Sequence, residues 1–274
     1  MTYGLTIVTG CMRSGTSLLY GLISTSPDTG PPIAPARYLA DHFHIHRRYL
    51  GTDKLFVDDY VPDRDGLVAH TRKIVRSILD SAWEQSGRPP TLAIKAAELS
   101  PMLPLVAEVL PEARFVVSVR DPKDTITSIL KVGERQRYFG LRIGSARANR
   151  DIGKLCKIYN AAYLPSLRAA DRIAEQLFYV KYEDVVANDD AALVPVWSHC
   201  GIAPGLAAKI DGESRASHFR AIADHRYWRT YLTELSGRLI SRSSIGSHRL
   251  MLNPAETRRV DWRCRRVRRT FGYA

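Results

Sequence analysis

No stretch of this sequence is apolar for long enough to span a bilayer, and no basic segment leads into an apolar core near the N-terminus. Neither a membrane span nor a secretory leader is therefore expected, and a cytoplasmic location is the expectation. Cysteine is sparse. Cys11, Cys156, Cys200 and Cys264 are scattered without a CxxC pair, which excludes a disulfide framework and a structural zinc site and leaves four free thiols. There is no internal repeat and no long linker. The 274 residues are thus expected to form one domain, 1–274, large enough for a substantial core.

Acidic residues are scarce toward the C-terminus. From Arg215 onward there are fourteen Arg, no Lys, and only Asp224, Glu234, Glu256 and Asp261 in opposition, a local excess of ten in a chain of net charge +12. Such a field attracts an acidic partner or an acidic membrane surface, although a solvated basic helix face would read the same way. Arg in place of Lys leans toward planar contacts with phosphate or sulfate. No specific nucleic-acid partner is expected, and the oligomeric state is left open.

The most informative stretch runs from Leu5 to Ile23. A short β-branched, apolar run passes through a loop bounded by Gly10 and Gly15 and continues with Leu18, Leu19, Leu22 and Ile23 at helical spacing. Strand, tight loop and helix place backbone N–H groups and a helix N-terminus around one point, and Arg13, Ser14, Thr16 and Ser17 add a charge and three hydroxyls. That geometry asks for an anion. The glycines have Walker A spacing, but Thr16 stands where that motif needs Lys, which disfavours a nucleoside triphosphatase or kinase.

Downstream, Pro27 to Pro35 reads as loop, and Arg37 to Tyr49 carries His42, His44 and His46 in alternation. In a strand these would share a face, yet no acid or cysteine completes a metal-ligand set, so no metal is expected. Helical periodicity over Val68 to Trp83 is followed by an apolar strand, Thr91 to Lys95, and by a short helix from Pro101 to Leu110. A buried-type strand then ends at Arg120, and Pro122 opens a helix that carries Ser128. Helix-like sequence from Arg135 to Arg172 leads to a strand ending in Tyr182-Glu183-Asp184, whose acids are expected to be structural and to cap the following helix; Asp189 to Cys200 is another helix. Last come Arg242 to Arg249, with Ser244 and Gly246, and one helix capped at Asn253 and ending near Phe271.

These segments, in this order, resemble the sulfotransferases that use 3′-phosphoadenosine 5′-phosphosulfate (PAPS), in their bacterial form with Arg in the phosphosulfate loop. The resemblance implies an α/β, P-loop NTPase-like three-layer fold with a central parallel sheet flanked by helices. It also implies transfer of a sulfuryl group from PAPS to a hydroxyl or amine of a small molecule, lipid or glycan, with the 3′,5′-bisphosphate nucleotide PAP as product. By the same resemblance Arg13, Ser14, Gly15, Thr16 and Ser17 would hold the phosphosulfate. Arg120 and Ser128 would hold the 3′-phosphate, Tyr182, Ser244, Gly246 and Arg249 would surround the nucleotide, and Lys95 would sit beside the transferred group.

The general base departs from the pattern. Ala97 stands where cytosolic relatives carry His, and Ile33 to Ala36 stand where other branches carry Glu. His42 is the first candidate because an imidazole titrates near neutral pH, and Asp41, His44 and Glu98 follow. A catalytically silent PAPS- or PAP-binding protein and a P-loop kinase are the alternatives.

Overall fold

The computed structural model describes residues 2–51, 59–61, 63–187, 190–205 and 241–273. Its centre is a sheet of four parallel strands, β1 (Gly4–Gly10), β2 (Thr91–Lys95), β3 (Arg114–Val119) and β4 (Leu177–Lys181), in the order β2-β1-β3-β4. The strands read as near-continuous apolar runs because both faces are covered. Ile7 pairs with Ile94 on one side and Phe115 on the other, while Ser118 pairs with Val180. Successive residues then feed opposite layers. Leu5, Ile7, Phe115 and Val117 join one core, and Val8, Val116 and Val180 join the other.

The smaller layer is built from α1 (Thr16–Ile23) and a helix over Asp190–Cys200, through Leu19, Leu22, Ile23, Val196 and Trp197. In chain order the other helices are α2 (Arg37–Tyr49), α3 (Arg64–Gln85), α4 (Leu103–Val109), α5 (Pro122–Tyr138), α6 (Ser145–Ala148), α7 (Ile152–Arg168), α8 (Ala170–Ile173), α9 (Tyr182–Val186), α10 (the Asp190–Cys200 helix), α11 (Pro254–Arg263) and α12 (Arg265–Thr270). The larger core takes Phe43 from α2, Val75 from α3, Val106 from α4, Ile126 from α5, and Tyr159 and Tyr163 from α7. Helices thus cover both faces of a parallel sheet, the expected three-layer class. Strand order reverses between β1 and β3, and in open α/β sheets the crevice beyond the carboxyl ends at such a point is where ligands bind.

Two local expectations change, and one reading left open is decided. The histidine segment, whose three rings would share a face only in a strand, is a helix, because Leu39, Ala40, Phe43 and His46 recur at helical spacing and are buried. Its three histidines therefore do not share one face: His46 is buried against Thr71 at 2.7 Å, and His44 is exposed. The helix expected over Pro101–Leu110 spans Leu103–Val109, and Pro101 belongs to a 3₁₀ turn over Ala97–Met102 that precedes it. The single C-terminal helix is two, broken at Cys264. Much of the basic C-terminal tract, Arg215 through Arg238, and the expected helix start at Asp189 lie outside the described residues. Among the described residues no helix is long and apolar enough to cross a membrane, and no three His, Cys, Asp or Glu groups gather as metal ligands.

Candidate functional site

The loop between β1 and α1 is shaped by close contacts that only glycine permits. Gly10 has φ of 137°, and a Cβ there would lie 2.3 Å from the Ser118 carbonyl oxygen, so the ends of β1 and β3 close together on a bare backbone. Gly15, at φ of 100°, is covered by the Tyr182 ring, which an added Cβ would meet at 2.4 Å. Between them Arg13 also has positive φ, 71°, a conformation a side-chain-bearing residue holds only where its surroundings impose it. The Ser14 N–H donates to the Cys11 carbonyl at 3.0 Å, and the Ser118 hydroxyl donates to the Ser14 carbonyl at 2.7 Å. Ser14 is fully buried, as is Cys11, so within the loop Met12 and Arg13 are the side chains left open to solvent.

Helix α1 starts at Gly15 with no side-chain cap. The amides of Thr16, Ser17 and Leu18 have no carbonyl within the helix to receive them, which leaves the first turn as an anion-binding end. Two cations are placed beside it. Arg13 Nε donates to Ser128 Oγ on α5 at 3.2 Å, and Lys95 Nζ, at the end of β2, donates to Ser17 Oγ at 2.8 Å. Burial pulls the half-buried Lys95 ammonium down to about 8, with Glu98 favouring its charge and Arg13 opposing it. A cation held at that value binds an anion partly because the anion relieves its own desolvation.

The second corner, from β3 into α5, has Asp121 as N-cap, its carboxylate accepting from the Lys123 N–H at 2.7 Å, with Pro122 in the first turn. Buried Arg120 ties three segments together. Nη2 donates to the Ser244 carbonyl at 2.7 Å, Nη1 reaches the Arg13 carbonyl at 3.4 Å, and the guanidinium lies 4.4 Å from the centre of the Tyr182 ring. Its Nε is buried without a hydrogen-bond partner among the described residues. Tyr182 in turn shares a 2.7 Å hydrogen bond with Ser244.

The 241–249 segment is held from below by Asp124. One carboxylate oxygen accepts the Gly246 N–H at 2.7 Å, and the other accepts the His248 N–H at 2.9 Å and meets His248 Nδ1 at 2.8 Å. Burial alone would push this carboxyl up, but the backbone and ring of His248 and the Gly246 N–H outweigh it and hold the carboxyl below the usual range. Gly246 has φ of 75°, and Arg249 beyond it is exposed. Two phenols of α7 support both corners. Tyr163 accepts from the Cys11 N–H at 3.2 Å and donates to the Ser118 carbonyl at 3.0 Å, and Tyr159 donates to the Arg120 carbonyl at 2.8 Å. Burial raises both well above the ordinary phenol value, so they remain donors.

Asp124, Tyr159 and Tyr163 were not singled out from sequence. The signal for the tyrosines was their spacing of four on the buried face of α7, and for Asp124 its place in the first turn after Pro122. Glu183 and Asp184 lie in the first turn of α9, which has no side-chain cap bond at Lys181; the Glu183 carboxylate accepts from the Asp121 N–H at 3.1 Å and the Tyr273 hydroxyl at 2.8 Å, joining this corner to the C-terminus.

The candidate bases are placed differently. The Ala36 N–H donates to the Lys95 carbonyl at 2.8 Å, which fixes the start of α2 beside the end of β2. His42 lies farther along that helix, half-buried, with its ring edge-on to Tyr38 at 4.9 Å. Asp41 and His44 are exposed. Glu98, also exposed, is the one candidate whose charge is felt at Lys95. The geometry therefore joins Arg13, Ser17, Lys95, Arg120, Ser128, Tyr182 and Ser244 around one helix N-terminus, a cradle for an anion with more than one charged group.

A model of the sulfotransferase family matches residues 6–204. Among curated protein sequences none matches the chain. Similar solved structures are the sulfotransferase domain of a Synechococcus olefin synthase (TM-score 0.55, 15% identity, covering 99% of this chain and 94% of that one); a Mycobacterium avium sulfotransferase (0.53, 15%, 98% and 77%); and a mouse sulfotransferase complexed with PAP (0.53, 15%, 98% and 85%).

Proposed function

The chain belongs to the sulfotransferase family, and from that premise we propose that it is a single-domain cytoplasmic enzyme moving the sulfuryl group of PAPS onto a hydroxyl or amine of a small molecule, lipid or glycan. The observation that carries the site reading is the pairing of Arg13 with Ser128 and of Lys95 with Ser17 on either side of the uncapped α1 N-terminus. Four buried free thiols suit a reducing compartment.

The residues present fit the nucleotide. The partnerless, buried Arg120 Nε is an unsatisfied donor at the corner where a 3′-phosphate would be read, with the Ser128 hydroxyl close to Arg13. Bound there, PAPS supplies the sulfuryl group and a bisphosphate leaving group. The first-turn amides of α1 and the Arg13 guanidinium hold the phosphosulfate, and Thr16 and Ser17 add hydroxyls. Lys95, whose Nζ donates to Ser17 Oγ beside this helix end, would hold a proton close to the phosphosulfate and would stabilise the negative charge that sulfuryl transfer develops on the leaving nucleotide. Tyr182, Ser244, Gly246 and Arg249 would surround the nucleotide, the first three on a frame set by Arg120 and Asp124. His42 accepts the proton of the acceptor, with Asp41, His44 and Glu98 as the other groups able to do so.

Incubation with sulfur-labelled PAPS and an extract of acceptors tests this reading. Label transferred to an acceptor, with one PAP released per transfer, is the expected result. Tight PAP binding with no transfer to any hydroxyl or amine would make the chain a silent nucleotide-binding protein.

A further inference from the structure

The arginines of the C-terminal helices divide into an inner and an outer set. Arg268 Nη1 lies 2.8 Å from the Asp261 carboxylate as an ion pair, and Lys123 lies 3.7 Å from the same carboxylate, which ties α11 and α12 inward to the start of α5. Arg259, Arg263, Arg265, Arg266 and Arg269 are exposed on the outer side. Between these helices and α7 runs a groove of about 260 Å³, with Lys157 and Asn160 on the α7 side and Trp262, Arg263, Arg265 and Arg266 on the other. Asn160 fixes the wall by donating to the Arg263 carbonyl at 2.9 Å.

Trp262 stands in this cationic face with 62% of its surface exposed. The guanidinium groups of Arg265 and Arg263 lie 5.3 and 5.8 Å from its ring centre, so cations already engage the ring. The acids nearest by are committed. Asp261 serves Arg268 and Lys123, and Asp151 lies 3.7 Å from Lys154.

We propose that this face docks the enzyme on an anionic membrane surface, with a lipid phosphate in the groove and Trp262 at headgroup level. Clustered arginines gain from the negative surface potential of such a membrane. An indole with an apolar body and a polar N–H belongs at the boundary between headgroups and acyl chains. A single-stranded nucleic acid would instead need an open ring on which to stack a base, and here the ring is engaged by guanidinium groups. A groove of this volume suits one headgroup. The inference stands apart from the sulfuryl-transfer chemistry, since none of these residues belongs to the candidate site.

The test is co-sedimentation of the full chain with vesicles of phosphatidylcholine alone and of phosphatidylcholine mixed with phosphatidylserine. Binding to the anionic vesicles only, weakening as salt rises, is expected. Each arginine near the surface is worth about fivefold, so the triple variant Arg263→Gln/Arg265→Gln/Arg266→Gln should lose on the order of a hundredfold. Trp262→Ala should cost severalfold, and PAP binding by both variants should be unchanged. Equal binding to neutral vesicles, or an undiminished triple variant, would overturn the proposal. So would an oligonucleotide or inorganic phosphate that binds this face more tightly than the anionic vesicles do. If the triple variant fails to fold, Arg266→Gln and Trp262→Ala singly carry the same reading.

Discussion

The two sides of the crevice are built by different means. On the side formed by β1, β3 and the 241–249 segment, nearly every group is fixed by a buried partner: Gly10 against Ser118, Gly15 against Tyr182, Arg120 on two carbonyls, Asp124 under Gly246 and His248. On the side formed by the end of β2 and by α2, the Ala36 N–H to the Lys95 carbonyl ties the helix start to the strand, and, apart from the buried His46, the polar side chains of α2 are half-buried or exposed. The first side is dictated by main-chain geometry, and under the proposed reading it would hold the donor nucleotide. The second is dictated by individual side chains, and under the same reading it would face the acceptor. A preorganised half and an adaptable half should respond differently to substitution.

Lys95, where the two halves meet, carries the largest expected effect. Lys95→Ala should lower turnover by about 10²–10³, roughly 3 to 4 kcal/mol, as for loss of one donor to a developing negative charge, while PAP affinity changes little. Equal losses in both would make Lys95 an ordinary binding contact. Because burial holds its ammonium down to about 8, turnover should fall as pH rises through that value, and Lys95→Arg should move the decline to higher pH. The linkage to stability has the opposite sense. A charged Lys95 costs the folded state below about pH 8, and that cost is relieved as the native lysine loses its proton before the unfolded one does.

The adaptable half is sharpened by its missing base. If His42 takes the acceptor proton, His42→Ala should reduce turnover by about a hundredfold, nearly 3 kcal/mol, with nucleotide affinity intact. Glu98→Gln is the matched control, since Glu98 is the group whose charge reaches Lys95. A large loss with Glu98→Gln and none with His42→Ala, read from single-turnover rates, would move the base to the end of β2. Indifference to both would mean that the acceptor arrives already nucleophilic.

The preorganised half is tested by Arg120. Arg120→Ala should weaken PAP binding by about 1.5 to 3 kcal/mol, the worth of a charge-assisted hydrogen bond. It should also lower the melting temperature, because the Ser244 and Arg13 carbonyls lose their donor. Calorimetric titration beside thermal melting separates the two. Unchanged affinity would remove Arg120 from the nucleotide site and leave it a brace.

The same contrast decides what could be read in advance. Gly10, Gly15, Arg120 and Pro122 are punctuation for strand–loop–helix corners, and such corners carry their geometry locally, so the fold class and the preorganised half were legible. The α2 segment is ambiguous by its alternating histidines, while Leu39, Ala40 and Phe43 carry the helical period that decides it. The roles of Tyr159, Tyr163 and Asp124 depend on partners 39 to 152 positions away, and no local pattern announces such a pairing. The break at Cys264 was hidden because Val260, Cys264 and Val267 keep one buried stripe through it.

Asp124 gives the smallest expected effect and the finest test of preorganisation, because it acts on the nucleotide site only through the 241–249 segment. Asp124→Asn keeps the shape but replaces one accepting oxygen with an amide that cannot receive the Gly246 or His248 N–H. About 1 kcal/mol of stability and a severalfold loss of PAP affinity are expected, near the net worth of one buried hydrogen bond. The charge adds a pH signature. The Asp124 carboxyl is held below its ordinary value in the folded chain, so the stability it contributes is present above the unfolded value and is lost as pH falls through the folded one. Urea unfolding of wild type and variant should therefore differ fully at neutral pH, and the gap should narrow progressively below about pH 4. A gap unchanged down to strongly acid pH would show that shape rather than charge fastens the segment. Equal PAP affinity in the two proteins at neutral pH would show that the segment needs no fastening to bind the nucleotide, and the contrast between a preorganised and an adaptable half would then fail on its stronger side.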